Sequence, residues 1–184
     1  MALTKLNFGG NQQALVSTNM PAGSVLQVIS TTKTDTQVIA NQAFVDVLTA
    51  TITPKSTSSK IFIECNMNIC SADPANTASG QRYSAAKLYR DTTQIALGDA
   101  EGSRTRVWFS CNTTANTTND GFRMAQSSGS FLDSPATTSA ITYRVKCANT
   151  ASDVSTIINR PAPNSDAVHS HRGASTFTLM EIAG

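Results

Sequence analysis

Two histidines, four cysteines and a scatter of carboxylates are the side chains with which this chain could do acid–base, nucleophilic or metal chemistry near neutral pH. His169 and His171 stand in a His-Ser-His spacing that on a strand would aim both imidazoles to one side and supply two metal ligands. They fall in a loop between Pro163 and Gly173, with no Asp, Glu or Cys at ligand spacing, so they read as a solvated pair. Only triplication at a three-fold axis would turn them into a metal or anion site. Cys65, Cys70, Cys111 and Cys147 are spaced too irregularly for the paired C-x2-C pattern of a zinc centre. Cys65 and Cys147 continue the apolar sides of strands, where a free thiol acts as a small buried hydrophobe. Free thiols are the expectation, with one or two bridges left open after release into oxidising surroundings. Asp73, Asp91, Asp99, Glu101, Asp120, Asp133, Asp153 and Asp166 sit mostly in turns, where Asp caps backbone amides, and none forms a catalytic pair. There is no G-x-S-x-G, Gly-rich phosphate loop or H-E-x-x-H. The chain therefore reads as a non-enzyme with no catalytic residue, no cofactor and no metal. A glycosidase, whose two carboxylates come from distant strands, is the enzyme class that missing motifs do not remove.

Charge excludes further classes. A net charge of +2 and a pI near 8.4, without a run of Lys and Arg, do not make a nucleic-acid surface. No apolar stretch of 18 residues occurs and residues 1–20 hold no uninterrupted apolar segment, so neither a membrane span nor a classical secretion signal is expected. Arg104 and Arg106 share one face of an expected strand, with Trp108 facing the same way and Val107 and Phe109 opposite. Arg104, Arg106 and Trp108 are thus the candidates for a subunit interface. Trp108, Tyr83, Tyr89 and Tyr143 are open to two readings, core packing or stacking on sugar rings.

The elements that must position these residues are strands. Charged residues make up only 14% of the chain while Ser and Thr abound, and no segment carries apolar residues at i, i+3, i+4 and i+7 over three turns. Strands are expected at Val25–Thr31, Ala43–Thr53, Lys60–Ile69, Ser84–Arg90, Thr105–Cys111, Ile141–Cys147, Val154–Asn159 and Ser175–Ile182, with weaker pieces near Phe122 and Phe131. Ile141, Tyr143, Val145 and Cys147 alternate with Thr142, Arg144 and Lys146, giving one buried and one wet face. Phe44 and Val45 break the phase of Ala43–Thr53, which predicts a bulge or two short strands. The last strand is amphipathic, so the end of the sequence is core and its removal should unfold the domain. Long polar connections at Ser71–Arg82 and Asn112–Gly121 stand apart, the second holding Asn-Thr-Thr sequons at Asn112 and Asn116.

At 184 residues the chain fits one domain. The expectation is an all-β, single jelly-roll-like antiparallel β-sandwich over residues 23–184, preceded by a short extended arm over residues 1–22. Leu3, Leu6, Phe8, Leu15 and Val16 have no periodicity that would bury them locally. The arm is either an attachment segment ordered by a partner or a frayed leader.

One series of segments carries a resemblance. Pro21-Ala-Gly-Ser-Val-Leu-Gln-Val-Ile-Ser-Thr-Thr-Lys-Thr-Asp-Thr36, Phe44-Val-Asp-Val47 and Ile52-Thr-Pro-Lys-Ser-Thr-Ser-Ser-Lys-Ile61 come first. Leu88-Tyr-Arg-Asp-Thr-Thr-Gln-Ile-Ala-Leu-Gly-Asp99, Gly102-Ser-Arg-Thr-Arg106, Phe131-Leu-Asp-Ser-Pro135 and Ser175-Thr-Phe-Thr-Leu-Met-Glu-Ile182 follow in order. Together, over residues 21–184, they resemble a group of bacteriophage tail-fibre and virion-surface proteins. The resemblance implies a β-sandwich head that forms a homotrimer on the virion. It also implies attachment to other virion proteins, of tail or capsid, through Leu3, Leu6, Phe8, Leu15 and Val16, and distal loops available to host surface carbohydrate. A capsid decoration protein that cements the shell is the alternative. The absence of a heptad repeat or extended shaft departs from a long fibre.

Overall fold

The computed structural model describes residues 20–40, 42–72, 83–112, 122–149, 151 and 154–184. Eleven strands form two antiparallel sheets and no helix longer than a turn occurs among the described residues. They are β1 Val25–Lys33, β2 Gln37–Ile39, β3 Val45–Ile52, β4 Lys60–Ala72, β5 Tyr83–Arg90, β6 Thr93–Ile95, β7 Phe109–Asn112, β8 Ala125–Asp133, β9 Ile141–Asn149, β10 Ser155–Ile158 and β11 Ser175–Ile182.

The first sheet is organised by β4. One edge of this long strand pairs with β8, and the other pairs with β11 along Lys60–Asn66 and with β10 along Ile69–Ala72. Beyond these lie β1 on β11 and β2 on β10. In the second sheet β3 pairs with β9 and β9 with β5, whose far edge is shared by β6 and β7. Reduced to the eight principal strands, the first sheet runs first, last, third, sixth, and the second runs second, seventh, fourth, fifth. That interleaving is the strand order of a jelly roll, two Greek keys wrapped as a double sheet.

Alternation explains which side chains fill the space between the sheets. Ile61, Ile63, Cys65, Met67 and Ile69 of β4, Phe177 and Leu179 of β11, and Ile141, Tyr143, Val145 and Cys147 of β9 all point inward and are fully buried or nearly so. All four cysteines are buried thiols, none of them in a disulfide. The expected irregularity in the third strand is a register shift between Asp46 and Leu48, which lets both Val47 and Leu48 be buried.

Two corrections concern the middle of the chain. The strand expected from Thr105 begins only at Phe109, and residues 104–107 run as irregular backbone. Phe122 lies outside the strand that was expected near it, and β8 instead runs without interruption from Ala125 to Asp133. The inward positions of β8 include Ser127 and Gly129, which carry no apolar signal. The space above Gly129 is filled from the other sheet: a Cβ there would lie 2.7 Å from Trp108 and 2.9 Å from Phe109. These two rings, 5.2 Å apart, close the edge of the sandwich between β7 and β8. The opposite edge is tied by Thr31 Oγ1, donating to the Thr49 carbonyl at 3.2 Å, and by Gln27 Nε2, donating to the Thr53 carbonyl at 2.8 Å.

Candidate functional site

Three polar clusters inside the sandwich use side chains of types that elsewhere carry acid–base or hydrogen-bonding chemistry. Glu181 is fully buried at the end of β11 and accepts from Gln27 Nε2 at 2.6 Å and from the Lys55 backbone N–H at 2.5 Å. Asp133 accepts from Arg90 Nη1, 3.0 Å from both carboxylate oxygens, and from Tyr143 Oη at 2.6 Å. Burial and the adjacent carboxylate push the Tyr143 phenol far above its ordinary range. Asn159, buried in a left-handed backbone conformation with φ of 62°, donates to the Lys33 and Asp35 carbonyls at 2.8 and 3.0 Å. It also accepts from Ser175 Oγ at 2.6 Å. Each cluster joins segments distant in sequence. Their chemistry is that of fasteners, since a buried carboxylate or amide is tolerable only with its bonds made.

The outer face of the second sheet offers a surface of a different kind. Odd-numbered residues of β5 face outward, and around Ala85 they floor a groove of about 370 Å³. Phe44, Tyr83 and Val107 wall it, while Gln42, Thr105 and Ser110 supply amide and hydroxyl groups. Tyr83 is 41% exposed. Apolar walls with a few polar groups at the rim suit a neutral ligand such as a sugar ring or an extended peptide. Beside the groove, Lys87 and Lys146 sit directly opposite each other in register, a repulsive arrangement. It is relieved by the Phe44 ring, 4.1 Å from Lys87 Nζ, and the Tyr89 ring, 5.2 Å from Lys146 Nζ. Asp46, 3.3 Å from Lys146 Nζ, supplies the opposite charge.

The interface candidates do not share one face. Arg104 is exposed and pairs with Glu101 at 2.7 Å, and exposed Arg106 donates from Nε to the Gly98 carbonyl at 2.6 Å. Trp108 is instead half-buried against the core and turned onto Gly129. The irregular backbone before β7 breaks the alternation that would have aligned it with the arginines. Their neighbours Thr105 and Val107 line the groove, a role that spacing alone did not single out.

His169 packs edge-on against the Phe122 ring, with centroids 4.2 Å apart. Among the described residues no group of three His, Cys, Asp or Glu side chains is placed to hold a metal ion. Leu3, Leu6, Phe8, Leu15 and Val16 lie outside the described residues, as do most of Ser71–Arg82 and Asn112–Gly121. No helix among the described residues is long and apolar enough to cross a membrane.

The sequence matches no known protein-family model and no curated protein. Among solved structures it is similar to the VP2 subviral particle of infectious bursal disease virus, at 10% identity and a TM-score of 0.38. The likeness covers 85% of this chain and 38% of that one. The jelly-roll order rests on the strand registers and takes nothing from so distant a likeness.

Proposed function

We propose that this chain is a structural and adhesive virion protein that works by self-association and display rather than by catalysis. The observation that carries the reading is the disposition of its polar residues. The buried carboxylates Asp133 and Glu181 are consumed by bonds that fasten the jelly roll, while the groove walled by Phe44 and Tyr83 lies on an outer face. The ordered resemblance to bacteriophage tail-fibre and virion-surface proteins supplies the setting. In this reading the sandwich forms a homotrimer, residues 1–22 attach it to tail or capsid, and the groove takes a host surface carbohydrate, with no nucleic acid and no membrane insertion. Closed rotational symmetry limits such an assembly to a defined number of copies.

The test is made on particles. Immunogold labelling of intact virions should place the protein on the surface, and deletion of residues 1–20 should abolish its incorporation. Tyr83→Ala with Phe44→Ala should then lower adsorption to host cells while the variant still incorporates. Particles that keep full adsorption but lose shell rigidity without the protein would favour the capsid decoration reading. Cleavage of host polysaccharide by the purified protein would overturn the non-catalytic reading.

A further inference from the structure

The outer face of the first sheet is rich in Ser, Thr, Asn and Gln and is crossed by an apolar row, beside which Val25 and Ile182 stand in register with Lys60. Val28 pairs with Met180, Met180 with Phe62, and Phe62 with Leu132, so four neighbouring strands each place one apolar side chain on the same line. Val28 and Leu132 are 53% and 49% exposed, and Phe62 and Met180 are half-buried. The next row in one direction is Ser30, Thr178, Glu64 and Ser130, and the one after it Thr32, Thr176, Asn66 and Ser128. Isolated apolar residues on a surface need no explanation, but a contiguous line across four strands, widened on the Lys60 side by exposed Val25 and by Ile182, does.

Charge around the row selects the occupant. On β4 the outward residues in succession are Lys60, Phe62 and Glu64, with the apolar line passing between opposite charges. Within one chain neither charge is in an ion pair among the described residues, and the Glu64 carboxylate has the Asn66 amide at 3.2 Å. We propose that this row is the seat of a second copy of the chain, packed face to face about a two-fold axis that lies along the row. Such an axis reverses strand direction and maps the line onto itself. Val28, Met180, Phe62 and Leu132 each meet their own counterpart, while Lys60 of each copy meets Glu64 of the other. Sheets stacked face to face lie ~10 Å apart, a gap that side chains of this size fill. The contact is isologous and closes at two, and it bears on assembly independently of the groove.

The experiment is light scattering on the full-length protein and its variants, with circular dichroism as the check on folding. The expected mass is an even number of copies. Lys60→Glu, at an exposed position, sets Glu against Glu twice and should weaken pairing by at least about tenfold. Adding Glu64→Lys to that variant should restore pairing, and Phe62→Asp should halve the mass. Six copies falling to three would support both the pairing and the homotrimer, whereas two falling to one would support the pairing and overturn the trimer. Three copies in the native protein would overturn the pairing and leave the trimer standing. A reciprocal swap that fails to restore association would also overturn the pairing. So would a single-copy protein that associates only after removal of residues 1–19, since that result assigns the row to the N-terminal segment.

Discussion

Tyr143 of the second sheet donates its hydroxyl proton to Asp133 of the first, at 2.6 Å, making a polar tie directly between the two layers. Arg90, 31% exposed, balances the carboxylate. Removing the carboxylate by Asp133→Ala leaves a buried phenol and a half-buried guanidinium unmatched. The expected loss is about 2–4 kcal/mol, less than for a fully desolvated pair. Tyr143→Phe should lose less, roughly 1–2 kcal/mol, because the aromatic body still fills its place. Urea unfolding of the two variants measures both, and equal losses would show that the carboxylate does nothing beyond accepting the phenol proton.

Gly129 is held by its neighbours rather than by its backbone. Gly129→Ala would press a methyl group onto Trp108 and Phe109 and should cost about 1–3 kcal/mol. The same substitution in a Trp108→Leu background should cost clearly less, since the large ring is what crowds the site. A double-mutant cycle by thermal or urea unfolding reads the coupling, and a zero coupling energy would contradict the close approach.

Stability should fall in alkali. Burial pushes the Cys147 thiol from 9.0 up to about 12, and burial also raises Cys65 and Cys111, while Tyr143 is raised from 10.0. Each folded-state value exceeds its unfolded one, so the unfolded chain surrenders these protons first. The contribution is whole below about pH 9 and is lost as pH climbs towards 12, with a slope of up to ~1.4 kcal/mol per pH unit for each thiol. Unfolding free energies measured from pH 7 to 11 should bend downward near pH 9, and Cys147→Ala should make the descent shallower.

The same burial shields the thiols from reagents. All four should resist an aromatic disulfide reagent in the folded protein and react together once the chain is denatured. A fast-reacting thiol in the native state would place one of them at a surface.

Strands whose own residues carry the two-faced pattern were legible in the sequence. β11 spans Ser175–Ile182 as expected, β9 shows its alternation from Ile141 through Cys147, and the broken phase after Phe44 announces the bulge before Leu48. Strands whose inner face is completed by another segment were not. β8 reads as Ser and Gly because Trp108 and Phe109 supply its missing bulk, and the three-residue β2 and β6 are too short to show a period. The fasteners were hidden for a related reason. Glu181 looks like a surface carboxylate until Gln27 and the Lys55 amide are brought to it, and Asn159 looks like a turn residue until β1 and β11 close around it. The groove needed residues 42–44, 83–85 and 105–110 to converge, and no spacing in the chain announces that.

The place of β11 between β1 and β4 also governs when the molecule can become itself. Far apart in sequence, the Gly23 N–H donates to the Ala183 carbonyl and the Ala183 N–H donates to the Ser24 carbonyl, each bond 2.8 Å long. During translation the first sheet therefore waits with an open slot at its centre, its edges unsatisfied, until Ser175–Ile182 have cleared the ribosome. Insertion of this strand completes the first sheet, so a partly folded form that lacks it exposes two unpaired strand edges, and aggregation is the hazard of that stage.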